Sequence, residues 1–350
     1  MSDPSPALKQ FLEHYIPLIE EEMFSFLPVL EPELYMYRPM RDYPERGGKR
    51  SRPAMVLLAC EALGGDTALA LRTAAAFEMF QSFALVHDDI EDGSEMRRGK
   101  PCLHHLHGIP LAINVGDALY SKMFELLAAN RTLLGEAKTL EILDEMIRGA
   151  RLTFEGQAFD IGWIEAAEIP TVDEFIEMLR RKTGWYSGRG PCETGAMIAD
   201  GTEEQVKALG DFGETMAVAF QIRDDLLNLT VSESDAVMAP TGTSGGYGKE
   251  RGGDIAEGKR TMMVIDLLHT ATDADRARVR EILDRDRDAT TAEDANWVID
   301  LMMSSGAISR AEDECQRRAA DAEKYLSAIE DSEAKQTLAE MCSFLVERVF

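Results

Sequence analysis

The sequence predicts an all-α, single-domain protein over residues 1–350, and three features carry that prediction. Apolar residues recur at helical spacing through almost the whole chain, as in Leu119, Met123, Leu126 and Leu127, or Leu209, Phe212, Met216 and Phe220. Alternating β-branched runs closed by Asn-Gly turns, the mark of strands, are nearly absent. Glycine and proline cluster at intervals that cut the chain into helix-length pieces, with no repeat of fixed period and no Pro- or Ser-rich linker.

In chain order, helices are expected near 5–23, then 50–62 behind the break RGGKRSRP, and 68–92 through the apolar run AAAFEMFQSFALV. The turn GIP at 108–110 precedes a helix at 111–130, followed by one at 135–164. Pro170 separates that helix from 171–188, and the turn DGT at 200–202 opens 203–230. After the long stretch APTGTSGGYGKERGGD at 239–254, helices follow near 259–270, 276–286, 290–304, 307–328 and 332–348. A loop as long as 239–254 is expected to be mobile or to serve as a lid.

With 45% hydrophobic residues the chain can bury a sizeable core. Its net charge of -26 disfavours a nucleic-acid partner, because phosphate backbones call for a basic surface. Cys60, Cys102, Cys192, Cys315 and Cys342 lie far apart, without a CxxC pair, so neither a zinc site nor a disulfide framework is indicated and a reducing compartment fits. The N-terminal MSDPSPALKQFLEHY lacks a basic patch followed by an apolar core, and no stretch reaches the roughly 18 uncharged apolar residues of a membrane span. A cytoplasmic protein with no membrane span is expected.

The chemistry concentrates in LVHDDIEDGSEMRRGKP at 85–101. On one helix, Asp88, Asp89 and Asp92 stand at i, i+1 and i+4, so Asp88 and Asp92 share a stripe and can bridge divalent cations. A lone motif of this kind also describes a solvated helix end. A second copy, AFQIRDDLLNL at 219–229, repeats the design with Asp224, Asp225 and Asn228. Two such helices facing one another can hold several Mg²⁺ ions, which take oxygen ligands and share them with phosphates.

Cations accompany them in Gly-containing turns: Lys49, Arg50 and Arg52, Arg97 and Arg98, Lys182, Lys249, and Lys259 with Arg260. In so acidic a chain, this set reads as phosphate ligands. Rival motifs fail. GGYGKE is not a GxxxxGK[ST] loop, since Thr243 stands where its first glycine belongs and Glu250 follows the lysine. His104, His105 and His107 lack a metal-binding His-Glu-x-x-His pattern, and neither a nucleophile elbow nor a dinucleotide fingerprint is present.

Together GGKRSRP, DDIED with RRGKP, GDALY at 116–120, GQAFD at 156–160, KTG at 182–184, FQIRDD at 220–225 and GKERGGDIAEGKRT at 248–261 resemble, in order and spacing, the trans-isoprenyl diphosphate synthases. The resemblance implies an isoprenoid-synthase-type helical bundle around a central cavity, a homodimer, and head-to-tail condensation of isopentenyl diphosphate with an allylic diphosphate. It implies that Asp88, Asp89, Asp92 and Asp224 bind three Mg²⁺, with Asp225 in the same second motif, and that Arg97, Lys182, Lys249 and Lys259 hold the allylic diphosphate. Lys49, Arg52 and Arg98 would hold isopentenyl diphosphate, and Thr183 and Gln221 would face the allylic cation.

Three positions depart from the family pattern. Gln81 stands where the family often has a His that helps bind isopentenyl diphosphate, Asn228 replaces the last Asp of the second motif, and Cys102 replaces a common Thr. By the same resemblance, Phe83 and Ala84, five and four residues before Asp88, set product length, and this pattern accompanies the twenty-carbon geranylgeranyl diphosphate. The bland reading of Phe83 is ordinary core. Farnesyl diphosphate synthase, a class I terpene cyclase and a noncatalytic partner subunit remain alternatives. The cyclase pattern wants Ser or Thr and then Glu where Asn228 and Ser232 stand, and a partner subunit commonly loses one acidic motif.

Overall fold

A computed structural model of the chain describes residues 4–230 and 251–346. Lys249 and residues 239–250 of the long glycine-rich stretch lie outside the described residues. The chain begins with α1 (Pro6–Ser25), whose first turn is capped by the Ser5 hydroxyl accepting from Leu8 N–H. A π-helical turn (Glu33–Tyr37) leads into α2 (Arg38–Glu45). Then come α3 (Ser51–Ala62) and α4 (Thr67–Glu91), the latter capped by Asp66. A two-residue ladder of β1 (Met96–Arg97) with β2 (Lys100–Pro101) is the exception to an otherwise helical description, followed by α5 (Leu103–His107) and α6 (Ile109–Ala128).

Next is α7 (Arg131–Glu165), which continues straight only beyond Gly135, where φ of 79° breaks the first turn from the rest. Helix α8 (Val172–Leu179), opened by a capping box between Thr171 and Glu174, runs into a π-helical segment (Arg180–Arg189), then α9 (Gly190–Ile198) and α10 (Glu203–Thr230). Short α11 (Gly253–Ala256) and α12 (Met262–Thr270) follow. The chain then adds α13 (Asp273–Leu283), α14 (Ala292–Ser304), α15 (Ala307–Tyr325) and α16 (Glu333–Val346).

Helix α3, buried from Pro53 to Cys60, divides the core. Met55, Leu58 and Ala59 face one apolar cluster with α10 and the C-terminal helices, whereas Val56, Leu57 and Cys60 face a second cluster with α1, α4 and α6. Helix α4 is long and apolar enough, by composition alone, to cross a membrane, which the count of uncharged residues did not anticipate. It is a core helix here, with 72% of its most apolar window buried. Burying apolar area on this scale stabilises the fold by about 25 cal/mol per Å² removed from water.

Two regions depart from the periodicity reading. The helix expected over 171–188 changes at Arg180 into a wider π turn, and the residues after it form α9. Gly190 and Pro191 signal a break in sequence, yet proline is tolerated in a first helical turn, where its missing N–H has no partner to lose. Helix α2 was not anticipated for the same reason, since RPMRDYPE carries Pro39 in its first turn.

Candidate active site

The first acidic motif forms the C-terminal turn of α4. Its three carboxylates are placed differently. Asp89 is 0% exposed. Its Oδ1 accepts from Arg97 Nε at 2.9 Å and from Arg97 Nη2, and its Oδ2 accepts from the Tyr43 hydroxyl. Asp89 thus anchors an arginine, with both of its oxygens taken by protein donors. Asp88 lies at the edge of that pair, 3.6 Å from Arg97 Nη2 and 3.8 Å from Lys182 Nζ. Asp92, in the cap of α4, accepts from Lys259 Nζ at 2.8 Å.

Those lysines tie the first motif to the rest of the site. Lys182, on the π segment, donates to Asp160 of α7 at 2.5 Å. Lys259 also reaches Glu257 at 2.7 Å and Asp254 at 3.7 Å. Burial alone would lower the pKa of both lysines, but Asp160 and Asp88 around Lys182, and Asp92, Glu257 and Asp254 around Lys259, hold them well above the ordinary value.

The second motif meets this network through Asp254. Asn228 Oδ1 accepts from Asp254 N–H at 3.2 Å, and Asn228 O accepts from Gly252 N–H at 2.8 Å. Asn228 thereby fixes the turn that carries Asp254 and Lys259. Asp225 accepts from Gln221 Nε2 at 2.9 Å, and Thr183 Oγ1 donates to Gln221 Oε1 at 3.3 Å. Burial, followed by the nearby charge of Asp254, pushes the Asp225 carboxyl up to about 7. Asp224, half-buried, belongs to the same helix turn.

The cations of GGKRSRP separate. Arg52 donates to Ser187 Oγ from Nη2 at 2.7 Å and lies 4.7 Å over the Tyr186 ring. Lys49 lies 5.6 Å from the Phe344 ring. Arg98 Nη1 donates to Tyr43 O at 3.1 Å and to Gly47 O, which brings it beside the Lys49 turn. Arg50, by contrast, is turned inward at 2% exposure. It donates to Glu78, Glu20 and Pro44 O, so it is a core ion pair and no phosphate ligand. Arg260 is likewise buried, on Glu168 O, Gly258 O and Asp284. Gln81 is buried on α4, and its Oε1 has no hydrogen-bond partner among the described residues.

Below the carboxylates, Phe83 is buried in an aromatic wall, its ring 4.7 Å from Tyr120, 4.9 Å from Phe80 and 6.0 Å from Phe154. Ala84 beside it is half-buried. Sequence reasoning quoted GQAFD without giving Asp160 a part, and it had no signal for Tyr43, which lies outside every motif. A Cβ on Gly156 would stand 2.2 Å from Lys182 N, backbone that cannot yield. We expect Gly156→Ala to push the 180–189 segment off α7, displacing Lys182 and Thr183. Turnover should fall at least about tenfold, with a loss of about 1–3 kcal/mol of stability on urea unfolding.

Among the described residues, no three acidic, histidine or cysteine side chains converge as a preassembled metal cage. The donors are carboxylate oxygens spread around lysines, which suits a hard cation that shares its coordination with phosphate oxygens. The all-α fold sets two acidic helix turns around carboxylate-paired cations, above an aromatic wall, and the protein is a trans-prenyltransferase. The polyprenyl synthetase model matches residues 33–302, and the chain belongs to that family. It is 36% identical over 303 residues to the short chain isoprenyl diphosphate synthase of Methanothermobacter thermautotrophicus, covering 86% of this chain and 87% of the relative. It is 31% identical to the geranylfarnesyl diphosphate synthase of Natronomonas pharaonis, covering 87% and 88%. The crystal structure of geranylgeranyl pyrophosphate synthetase from Pyrococcus horikoshii superposes with a TM-score of 0.86 at 34% identity, covering 98% of each chain.

Proposed function

We propose that the protein is a short-chain synthase that condenses isopentenyl diphosphate with an allylic diphosphate and releases geranylgeranyl diphosphate. The observation that carries this reading is Lys259, which joins Asp92 of the first motif to Asp254, itself held by Asn228 of the second, so both acidic turns border one site. In this reading Asp88, Asp92 and Asp224 hold Mg²⁺. The ions' chemistry is to neutralise the charge that grows on the departing diphosphate.

The chain's own residues do the rest. Lys182 and Lys259, now paired with carboxylates, exchange those partners for oxygens of the allylic diphosphate, and Arg97 meets the same diphosphate while Asp89 still holds it. Lys249 is proposed to join them on the strength of its motif. Thr183 and Gln221, already bonded to each other, point polar oxygens toward the cation left behind, with Asp225 fixing the Gln221 amide. Lys49, Arg52 and Arg98, with Gln81, hold isopentenyl diphosphate. The Phe80, Phe83 and Tyr120 rings line a dry wall along which the chain grows.

The same reading includes a homodimer and a cytoplasmic setting. Exposed Ile113 on α6 and Leu140, Ile147 and Phe154 on α7 support the former, since such residues gain by mutual burial. The scattered cysteines support the latter. The test is incubation of the purified protein with Mg²⁺, isopentenyl diphosphate and each allylic primer in turn. A twenty-carbon diphosphate is expected, and no elongation from any primer would leave a partner-subunit role. Phe83→Ala should open the wall and lengthen the product by one or more five-carbon units. An unchanged product would place the floor at another residue.

A further inference from the structure

Tyr43, on α2, is 1% exposed and lies outside every motif, yet it reaches the centre of the site. Its hydroxyl donates to Asp89 Oδ2 and accepts from Leu103 N–H at 3.2 Å. The opposite oxygen of Asp89 receives Arg97 through both Nε and Nη2, and that Nη2 ends 3.6 Å from Asp88. We propose that Tyr43 is a positioning residue for the transfer reaction: by pinning Asp89 it sets the angle at which Arg97 meets the allylic diphosphate.

Asp89 is sealed from water, so its two oxygens have fixed partners, and the rotation of its carboxylate is decided by which groups hold them. With the tyrosine hydroxyl present, Oδ1 is directed at Arg97. Without it, Oδ2 is a buried acceptor with one partner gone, and the carboxylate turns to recover a hydrogen bond, taking the guanidinium with it. Burial and the charge of Asp89 both hold the tyrosine proton in place, so the hydroxyl stays a donor at any working pH.

The backbone of the β1–β2 ladder is secured separately. Arg46 donates from Nη1 to Arg97 O at 2.8 Å and to Lys100 O at 3.3 Å, and from Nη2 to Pro101 O at 2.8 Å. Arg98 meets Tyr43 only through the backbone carbonyl. Removing the hydroxyl therefore acts on the Arg97 side chain and frees the Leu103 N–H, while the ladder and the isopentenyl cations keep their supports.

This inference rests on the proposed function, and a double-mutant cycle with Arg97→Gln separates the two. In the parent background, Tyr43→Phe should raise KM for the allylic substrate roughly tenfold or more, as expected for a lost hydrogen bond to a charged group, with KM for isopentenyl diphosphate within about twofold. In the Arg97→Gln background the same change should have less than about a twofold effect, because the residue it acts through is gone. A purely structural role would leave both KM values alone and multiply with Arg97→Gln, and that result overturns the inference. Should the phenylalanine variant not fold, Asp89→Asn must show the same allylic signature and the same masking, and additivity there overturns it equally. A parent protein inactive with every primer would remove the functional reading and this inference with it.

Discussion

Asp88→Ala will lose prenyl transfer, by about 10²–10³-fold, while its thermal unfolding stays close to that of the parent protein. The loss follows from the part assigned to Asp88: it is the first-motif carboxylate whose basic neighbours are both committed elsewhere, so its oxygens are the most available to a cation bridging to diphosphate. Deleting a group that stabilises charge forming in a transition state costs on the order of 10²–10³ in turnover. The preserved fold follows from the same geometry. Arg97 and Lys182 stand 3.6 Å and 3.8 Å from Asp88, but each has a closer partner, Asp89 for Arg97 and Asp160 for Lys182. Both cations remain paired when Asp88 is gone, and long contacts of a partly exposed carboxylate contribute about 0–1 kcal/mol. Calorimetry beside the turnover assay checks both halves.

Arg50→Ala should do the reverse, costing about 3–5 kcal/mol of stability, because it strips the counter-charge from a carboxylate that water cannot reach. The Glu78 side chain is 4% exposed and forms an ion pair with Arg50, while Glu20 on α1 shares the same guanidinium. Removing Arg50 leaves Glu78 to take up a proton or to drag α4 toward solvent, and α1 loses its tie to α3. Urea unfolding should register the change directly. Arg52→Ala, two positions along the same motif, should leave unfolding nearly unchanged and raise KM for isopentenyl diphosphate. Similar unfolding curves for the two variants would contradict the division of GGKRSRP into one structural and one ligand arginine.

The contrast between Arg50 and Arg52 also marks how far the sequence could be read. Long apolar runs placed α4, α10 and the C-terminal helices within a few residues, since burial of a continuous stripe leaves a periodic trace. Nothing in the letters KRSR says which arginine turns inward. That is decided by Glu78 and Glu20, which arrive from other helices. The two acidic motifs were legible because their spacing is chemical. The separate duty of Asp89 was not, because it depends on Tyr43 and Arg97 closing over it from α2 and β1. Asn228 stands out in sequence only as a replacement for the last Asp of its motif, and its hold on Asp254 N–H depends on a turn that arrives from beyond α10. Helix α9 and the π segment before it escaped because GRGP carries break signals that packing overrides.

The central claim is that two acidic turns, one at the end of α4 and one in α10, grip a single diphosphate through Mg²⁺. Calorimetric titration of inorganic pyrophosphate with Mg²⁺ into the parent protein, Asp88→Ala and Asp224→Ala tests it most directly. The account predicts Mg²⁺-dependent binding in the parent that either substitution weakens at least about tenfold. Full affinity retained in either variant would show that the two turns do not share a ligand.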